Sequence, residues 1–310
     1  NNQERKQNTP MALRSLLRKG ELLCAPGVYD GMTVRLAEKT KAPALYMTGY
    51  GTVASHLGLP DAGLASYTDM VERVRVLAGL ASVPLIADGD TGYGGLLNCA
   101  HAVRGYEEAG AAAIQIEDQE FPKKCGHTPQ RRVVPRDQAA AKIQVAVDAR
   151  RSDDFLIIAR TDARTNYGLD EALRRGEAFA QAGADVLFIE APESEEEMRQ
   201  IGRAFGDSVP LLVNVVEGGK TPVLPRERYV ELGYSLAIFP ATAFLAAAKV
   251  IDMVYSEINA KGATTDVLDH LADFMTFSKT MGFQDIWDFE KKYAYLESSS
   301  ASQQQQQREE

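Results

Sequence analysis

The sequence predicts a (β/α)8 barrel of the TIM type, and two observations lead to that fold class. Eight short apolar segments rich in Val, Ile and Leu alternate with longer segments of helical periodicity. The apolar segments are apolar throughout, which is typical of parallel strands covered on both faces. Eight successive βα units close most economically into a barrel. A doubly wound open sheet is the alternative, but the turn after the first strand, APGVYD at 25–30, lacks the glycine-rich phosphate motif of that fold.

The predicted elements follow one another without a linker-like stretch. The strands are expected at 22–28, 44–48, 84–88, 112–117, 155–160, 185–190, 210–215 and 236–239. The helices are expected at 31–39, 67–81, 97–109, 135–150, 169–182, 194–205, 226–232 and 243–260. Start and stop signals support these bounds: Ser194 precedes three glutamates, and Gly110, Gly183 and Gly233 follow helical segments.

Composition divides the chain into a barrel with additions at both ends. Residues 1–10 are polar and 297–310 are of low complexity, so both are expected to be flexible or disordered tails. The catalytic barrel domain is predicted over 11–262. Beyond it, 263–296 carries apolar residues at helical spacing, among them Leu268, Leu271 and Phe274. This C-terminal helical extension must bury its apolar face against the barrel or a partner chain.

Charge and cysteine content exclude several classes of protein. The chain has 34 Lys and Arg against 43 Asp and Glu, a net charge of −9, and no basic run, so nucleic acid is not an expected partner. The apolar stretches are shorter than the roughly 20 residues of a membrane span. Three cysteines are too few for a disulfide framework and favour a cytoplasmic location. An acidic protein that binds anionic acids needs a bound cation or a local basic cluster.

Acidic residues follow several predicted strands at the barrel end where active sites of this fold lie. Asp88 and Asp90 end the third strand, Glu117 the fourth and Glu190 the sixth. Carboxylates that point at one axis repel each other unless a cation lies between them. Hard oxygen ligands predict Mg²⁺, with Mn²⁺ as the alternative, rather than zinc. For a single acid, a helix cap or an ion pair with Arg160 is the alternative interpretation.

The connection after the fourth strand contains KKCGH at 123–127. Cationic neighbours lower a thiol pKa, so Cys125 is a candidate acid, base or nucleophile. Free cysteine is more often buried packing, and we assign that role to Cys24 and Cys99. A zinc site is not expected, because no second His lies at ligand spacing. A Ser-His-Asp hydrolase is disfavoured because the G-x-S-x-G motif is absent.

At these residues the chain resembles the isocitrate lyase and phosphoenolpyruvate mutase superfamily. Within it, the resemblance is greatest to the cysteine-containing branch of methylisocitrate and dimethylmalate lyases, and it extends from about residue 22 to 295. The motifs that carry it are APGVYD (25–30), YMTGYGTVAS (46–55), LPDAGL (59–64), DGDTGYGG (88–95), IEDQ (116–119), PKKCGH (122–127), ARTDA (159–163), EAP (190–192) and NVVEGGKTP (214–222).

The resemblance implies a Mg²⁺-dependent carbon–carbon lyase that cleaves a substituted 2-hydroxy di- or tricarboxylate to pyruvate, or a related 2-oxo acid, and a second carboxylate. It implies that Asp88 binds the metal and that Asp61, Asp90 and Glu117 hold its waters. The implied catalytic set is Cys125, as general acid, with Lys123, His127, Arg160 and Glu190. The implied substrate contacts are Tyr46, Thr48, Gly49, Tyr50, Lys124, Gly126, Asn214 and Pro240. No residue is assigned as the general base.

Three alternative functions stay open. Oxaloacetate hydrolases of this branch tend to have serine where this chain has Pro240, and the phosphonate and phosphoenolpyruvate mutases lack the cysteine loop. A barrel that binds carboxylates without turnover is the non-enzymatic alternative. The space around Lys124, Pro240 and Phe244 decides which acid fits. The family also exchanges its eighth helical region between subunits, which implies a homo-oligomer built as a dimer of dimers, a homotetramer.

Overall fold

Eight parallel strands close into a barrel in sequence order, as predicted. The computed structural model describes residues 10–126 and 131–309. Each strand pairs with the next, and β1 closes the barrel on β8 through the register Leu23↔Leu236. The strands are β1 Leu23–Val28, β2 Leu45–Met47, β3 Leu85–Asp88, β4 Ala113–Glu117, β5 Leu156–Thr161, β6 Val186–Ile189, β7 Leu211–Asn214 and β8 Leu236–Phe239.

Helices follow every strand. They are α1 Pro10–Leu16, α2 Gly31–Lys39, α3 Gly49–Leu57, α4 Tyr67–Leu80, α5 Leu96–Glu108, α6 Arg136–Ala149, α7 Arg164–Gln181, α8 Glu195–Phe205, α9 Arg226–Glu231, α10 Thr242–Lys261, α11 Phe274–Thr280 and α12 Phe283–Glu309, with a 3₁₀ helix at Thr265–His270. The predicted bounds agree to within one residue, except at the start of α7. There Gly168 has a non-helical φ of 81°, so the regular helix continues only after it.

Helix α3 was not expected from the sequence. It begins directly after β2, because the Thr48 side chain accepts a hydrogen bond from the Gly51 amide and caps the first turn. Gly58 ends it in the left-handed conformation, with φ 65°. The consequence for the site is that Gly49 and Tyr50 belong to the first turn of a helix and not to a loop.

The core has two layers that leave one end of the barrel for chemistry. Between strands and helices lies a large apolar cluster, and a second cluster fills the barrel interior. Leu13 of α1 is fully buried in the interior cluster, together with Leu23 and Leu236 at the amino ends of their strands. Since α1 occupies that end, the carboxyl ends of the strands are the open face.

The chain divides into two compact units, Asn1–Lys249 and Val250–Glu310. The second unit contains the end of α10, the 3₁₀ helix, α11 and α12, and it exposes large apolar side chains such as Tyr255, Phe274 and Phe289. Within the described residues, no helix combines the length and the apolar character needed to cross a membrane. The predicted division into tails, barrel and extension stays a prediction, as does helix exchange between subunits.

Candidate active site

A cavity of about 260 Å³ opens at the carboxyl ends of the strands. Residues at or after six strands surround it, which is how this fold assembles an active site from separate connections. The lining residues are Tyr46, Thr48, Tyr50, Asp61, Asp88, Lys123, Lys124, Cys125, Gly126, Arg160, Asn214, Val216, Ile238, Pro240, Ala241, Phe244 and Leu245. One wall is therefore charged and polar, and the opposite wall is apolar.

Lys123 lies buried between two carboxylates on one side of the cavity. Its Nζ is 2.5 Å from Asp61 Oδ1 and 2.7 Å from Asp90 Oδ1. Burial acts to lower the pKa of Lys123, but Asp90 and Asp61 hold it well above its usual range, so the ammonium stays charged. Burial raises the pKa of the Asp90 carboxyl to about 6, against the opposing effect of Lys123. Lys123 thus joins three separate connections in one charge cluster.

Asp88 is the carboxylate that faces the cavity at the end of β3. The Asp90 amide donates to its Oδ1 at 3.0 Å. Its Oδ2 lies against the first turn of α3, where a side chain on Gly49 would place its Cβ 2.5 Å away. Glycine is required there because any larger residue would displace the carboxylate. The helix amino terminus in turn favours negative charge at this point.

Arg160 at the end of β5 is surrounded by three carboxylates. Its Nε and Nη2 each donate to Asp162 at 2.9 Å, which is a bidentate pair. Glu117 lies 3.3 Å away and Glu190 3.6 Å away, and the guanidinium also stacks 5.0 Å over the ring of Phe188. Burial acts to lower the pKa of Arg160, but Asp162 and Glu117 hold it well above its usual range. Arg160 is therefore a fixed positive charge on the cavity wall.

The segment with Cys125 is held in place by backbone contacts. The Cys125 amide donates to the Asp61 carbonyl at 3.1 Å, and Gln119 bonds both the amide and the carbonyl of Lys124. Gly126 packs so closely on Arg160 that a Cβ would overlap the guanidinium. Cys125 therefore borders the cavity, in a segment held by Asp61 on one side and by Arg160 on the other.

Most of the predicted site residues come together around this cavity. Lining it are Tyr46, Thr48, Tyr50, Asp61, Asp88, Lys123, Lys124, Cys125, Gly126, Arg160, Asn214 and Pro240. Four further predicted residues lie behind the wall, in contact with lining residues: Gly49, Asp90, Glu117 and Glu190. Glu190 accepts a hydrogen bond from Asn214 Nδ2 at 3.2 Å. His127 lies outside the described residues. The roles assigned to these residues stay predictions.

Sequence reasoning missed most of the apolar wall. Val216, Ile238, Ala241 and Leu245 line the cavity beside Phe244, whose ring lies 5.2 Å from that of Tyr50. In the sequence these residues resemble ordinary strand and helix core. The available signal was their position after β7 and β8, since residues there reach the active end of a barrel. Two buried residues were also not assigned a role: Asp162, which contacts Arg160 directly, and Arg131, which contacts it through Asp162.

The residues fit a divalent cation coordinated mainly through water. No three His, Cys, Asp or Glu side chains in the described part of the chain converge to enclose a metal by themselves. Mg²⁺ commonly needs only one or two protein carboxylates and keeps its waters. Glu117 Oε1 is buried without a hydrogen-bond partner, which is an acceptor that a metal-bound water would satisfy. Asp88 offers a carboxylate that lines the cavity, as does Asp61, which is paired with Lys123.

Fold, cavity and motifs together define a barrel of the phosphoenolpyruvate mutase and isocitrate lyase superfamily. The family described as phosphoenolpyruvate phosphomutase matches residues 13–259, and the chain belongs to this family. The membership predicted from the sequence is therefore confirmed.

Individual relatives are similar over nearly the whole chain. The 2,3-dimethylmalate lyase of Eubacterium barkeri is 44% identical, covering 93% of this chain and 99% of the relative. A 2-methylisocitrate lyase of Aeropyrum pernix is 40% identical, covering 92% and 90%. Among solved structures, oxaloacetate acetylhydrolase in complex with the inhibitor 3,3-difluorooxalacetate has a TM-score of 0.87 at 35% identity, covering 93% of this chain and 98% of that one.

Cys99 and Cys125 are expected to differ in reactivity toward iodoacetamide at pH 8. Burial raises the pKa of Cys99 to about 11, so only about one molecule in a thousand is the reactive thiolate at that pH. Cys125 borders the cavity beside cationic residues. Peptide mass spectrometry of the folded protein should show Cys125 labelled at least about 100-fold faster than Cys99. Urea-unfolded protein, as the control, should label both alike; equal rates in the folded protein would contradict the assignment.

Proposed function

We propose that the protein is a Mg²⁺-dependent carbon–carbon lyase acting on a substituted 2-hydroxy di- or tricarboxylate. Its products are pyruvate, or a related 2-oxo acid, and a second carboxylate. The observation that carries the proposal is one cavity bordered by a thiol, a fixed guanidinium and a buried carboxylate, those of Cys125, Arg160 and Asp88. The names of the similar lyases support the same reaction class.

In this proposal Asp88 binds the metal, and Asp61, Asp90 and Glu117 hold its waters. A bound Mg²⁺ would polarise the oxygens of the 2-hydroxy acid and offset the local excess of carboxylates. Lys123 keeps Asp61 and Asp90 in fixed positions through its two ion pairs. The chain thus supplies a preorganised set of oxygen atoms, and the ion supplies the remaining charge.

Cleavage breaks the bond between the hydroxyl-bearing carbon and its substituted neighbour. The hydroxyl loses its proton and becomes the 2-oxo group, while the bonding electrons move to the neighbouring carbon, next to its carboxylate. Arg160 stabilises the negative charge that develops on oxygen. Cys125 donates its thiol proton to the carbon that received the electrons, as a general acid. No residue is assigned to the removal of the hydroxyl proton.

The apolar wall favours a substrate with alkyl substituents. Phe244, Leu245 and Val216 oppose the charged wall and offer no partner for a further charged group. Burying a methyl or methylene group there contributes about 0.8 kcal/mol each. An alkylated malate fits this division of the cavity, and a methylated tricarboxylate would need Lys124 for its third carboxylate.

Hydrolysis of oxaloacetate to oxalate and acetate is the second candidate. It is favoured by the similarity to oxaloacetate acetylhydrolase. The proline at 240 counts against it, because Pro240 lines the cavity and provides no hydroxyl where the hydrolases of this branch tend to have one. An oxalate assay separates the two reactions.

We also propose a cytoplasmic homo-oligomer, a dimer of dimers that exchanges C-terminal helices. The second unit, taken by itself, leaves Tyr255 68% exposed and Phe274 78% exposed. Apolar surface of this kind is typical of protein interfaces. The net charge of −9 supports the absence of nucleic acid as a partner.

A substrate panel tests the proposed reaction. Purified protein should release pyruvate, or a related 2-oxo acid, from 2,3-dimethylmalate or 2-methylisocitrate with Mg²⁺, as measured by lactate dehydrogenase coupling or chromatography. EDTA should abolish release, and excess Mg²⁺ should restore it, because the cation polarises the substrate oxygens. Oxalate formation from oxaloacetate, without cleavage of any alkylated acid, would replace this proposal by the hydrolase.

Substitution of the proposed general acid tests the role of Cys125. Cys125→Ser should lower kcat by about 100-fold or more, because a hydroxyl is a much weaker acid than a thiol. The matched control is Cys24→Ser, a half-buried cysteine on β1 outside the cavity lining, which should keep near wild-type kcat. Full activity of Cys125→Ser would eliminate the acid role.

Gly49→Ala tests the proposed position of the metal. The new Cβ would meet Asp88 Oδ2 and displace the carboxylate, so we expect Mg²⁺ affinity to fall about tenfold or more in calorimetric titration. Gly79→Ala is the control, since Gly79 is an exposed position of α4 and nothing lies within 4 Å of its Cβ position. Its Mg²⁺ affinity should equal that of the wild type. Unchanged affinity in Gly49→Ala would place the metal elsewhere.

A further inference from the structure

A chain of three buried ions runs from the interior to the cavity wall. Arg131, Asp162 and Arg160 have side chains only 1%, 0% and 8% exposed. Only Arg160 lines the cavity. Arg131 belongs to the same β4–α6 connection as Cys125, so this ion chain joins that connection to the end of β5.

Asp162 determines the orientation of Arg160. It accepts from Nε and Nη2 of Arg160, both at 2.9 Å, which fixes the plane of the guanidinium. The Asp162 amide is itself held by Asp118 Oδ1 at 2.9 Å. A rotation of the Asp162 carboxylate would therefore rotate Arg160 with it.

Arg131 holds Asp162 from the side away from the cavity. Its Nη1 donates to Asp162 Oδ1, the oxygen that also accepts from Arg160. Its Nη2 donates to Thr165 Oγ1 at 2.5 Å, and Asn166 Nδ2 donates to the Arg131 carbonyl. Two hydrogen-bonding partners beyond Asp162 thus fix Arg131, which makes it a rigid support for that carboxylate.

Arg131 also supplies a second positive charge that helps to balance the Asp162 carboxylate beside Arg160. Without it, Arg160 alone would balance Asp162, Glu117 and Glu190, its three carboxylate neighbours. A guanidinium in that position is neutralised by its neighbours and attracts an incoming carboxylate less. A buried carboxylate that loses one partner also shifts toward the one that remains.

We propose that Arg131 is a positioning residue for substrate binding: it balances and orients Asp162, so that Arg160 presents its guanidinium and its charge to the carboxylate or oxo group of the substrate. The kinetic part of its test rests on the proposed function. The binding part of the test, which uses the planar dianion oxalate, does not rest on the proposed function, because binding requires no turnover.

The probe is oxalate, titrated calorimetrically into the full-length protein with saturating Mg²⁺. Arg131→Met removes the charge and both donors, and should weaken oxalate binding at least about tenfold. Arg131→Lys keeps the charge but replaces the two nitrogens that bond Asp162 and Thr165 separately by a single one, so its Kd should lie between those of the wild type and Arg131→Met. With an active panel substrate, KM should rise in the same order, and by a larger factor than kcat falls.

The matched control is Arg150→Met. Arg150 also forms a largely buried ion pair, 2.6 Å from Asp185 Oδ2, but Asp185 directly precedes the amino end of β6 and neither residue lines the cavity. Arg150→Met should lower the melting temperature about as much as Arg131→Met and change the oxalate Kd less than about threefold.

Wild-type oxalate affinity in Arg131→Met, or equal weakening in Arg150→Met at an equal melting temperature, would overturn the proposal. If Arg131→Met does not fold, Arg131→Lys decides: a weakened oxalate Kd supports the proposal and an unchanged Kd overturns it. If no panel acid is cleaved, the proposed function fails while the oxalate titration still decides the role of Arg131.

Discussion

At the carboxyl ends of the strands, buried cations hold together a larger number of buried carboxylates. Within the described residues, Lys123, Arg160 and Arg131 are set among Asp61, Asp88, Asp90, Glu117, Asp162 and Glu190. Removing one member of a buried ion pair typically costs 3–5 kcal/mol, because the other charge stays without compensation. The arrangement therefore tolerates little local change. It also leaves negative charge in excess, which a divalent cation would offset.

The position of Cys125 follows from this cluster. Lys123, two residues earlier, is fixed by Asp61 and Asp90, and the Asp61 carbonyl accepts from the Cys125 amide. One aspartate thus contacts the connection through both its side chain and its backbone. Gly126 then meets Arg160 directly, which only glycine allows. The backbone at Cys125 is placed by ionic contacts on one side and by steric contact on the other, and not by a secondary-structure element of its own.

The sequence was sufficient for the barrel and for most of the cavity, because both depend on local pattern and on strand ends. It could not show which acid pairs with which cation. Acids after β3 and β4 were expected to meet a metal, with an ion pair to Arg160 as the alternative for a single acid, and in the structure Lys123 pairs with Asp90 and Arg160 with Glu117. The two lysines before Cys125 look equivalent in the sequence, but Lys123 is buried. Helix α3 was missed because its first residues, Gly-Tyr-Gly, have low helix propensity, and its cap and its contact with Asp88 are what stabilise it.

The charge of the whole chain and the charge of the site act over different distances. A net charge of −9 repels an anionic substrate in solution, but salt at physiological strength screens that repulsion beyond about 8 Å. Inside the cavity the relevant charges are those at contact distance, and there Arg160 lies on the polar wall while Phe244 and its neighbours make the opposite wall apolar. Low polarity strengthens each remaining electrostatic interaction. An anionic substrate that displaces water from this cavity is therefore attracted by Arg160 more strongly than the net charge of the chain suggests. For this reason the orientation of Arg160 is the property that the surrounding ion pairs must preserve.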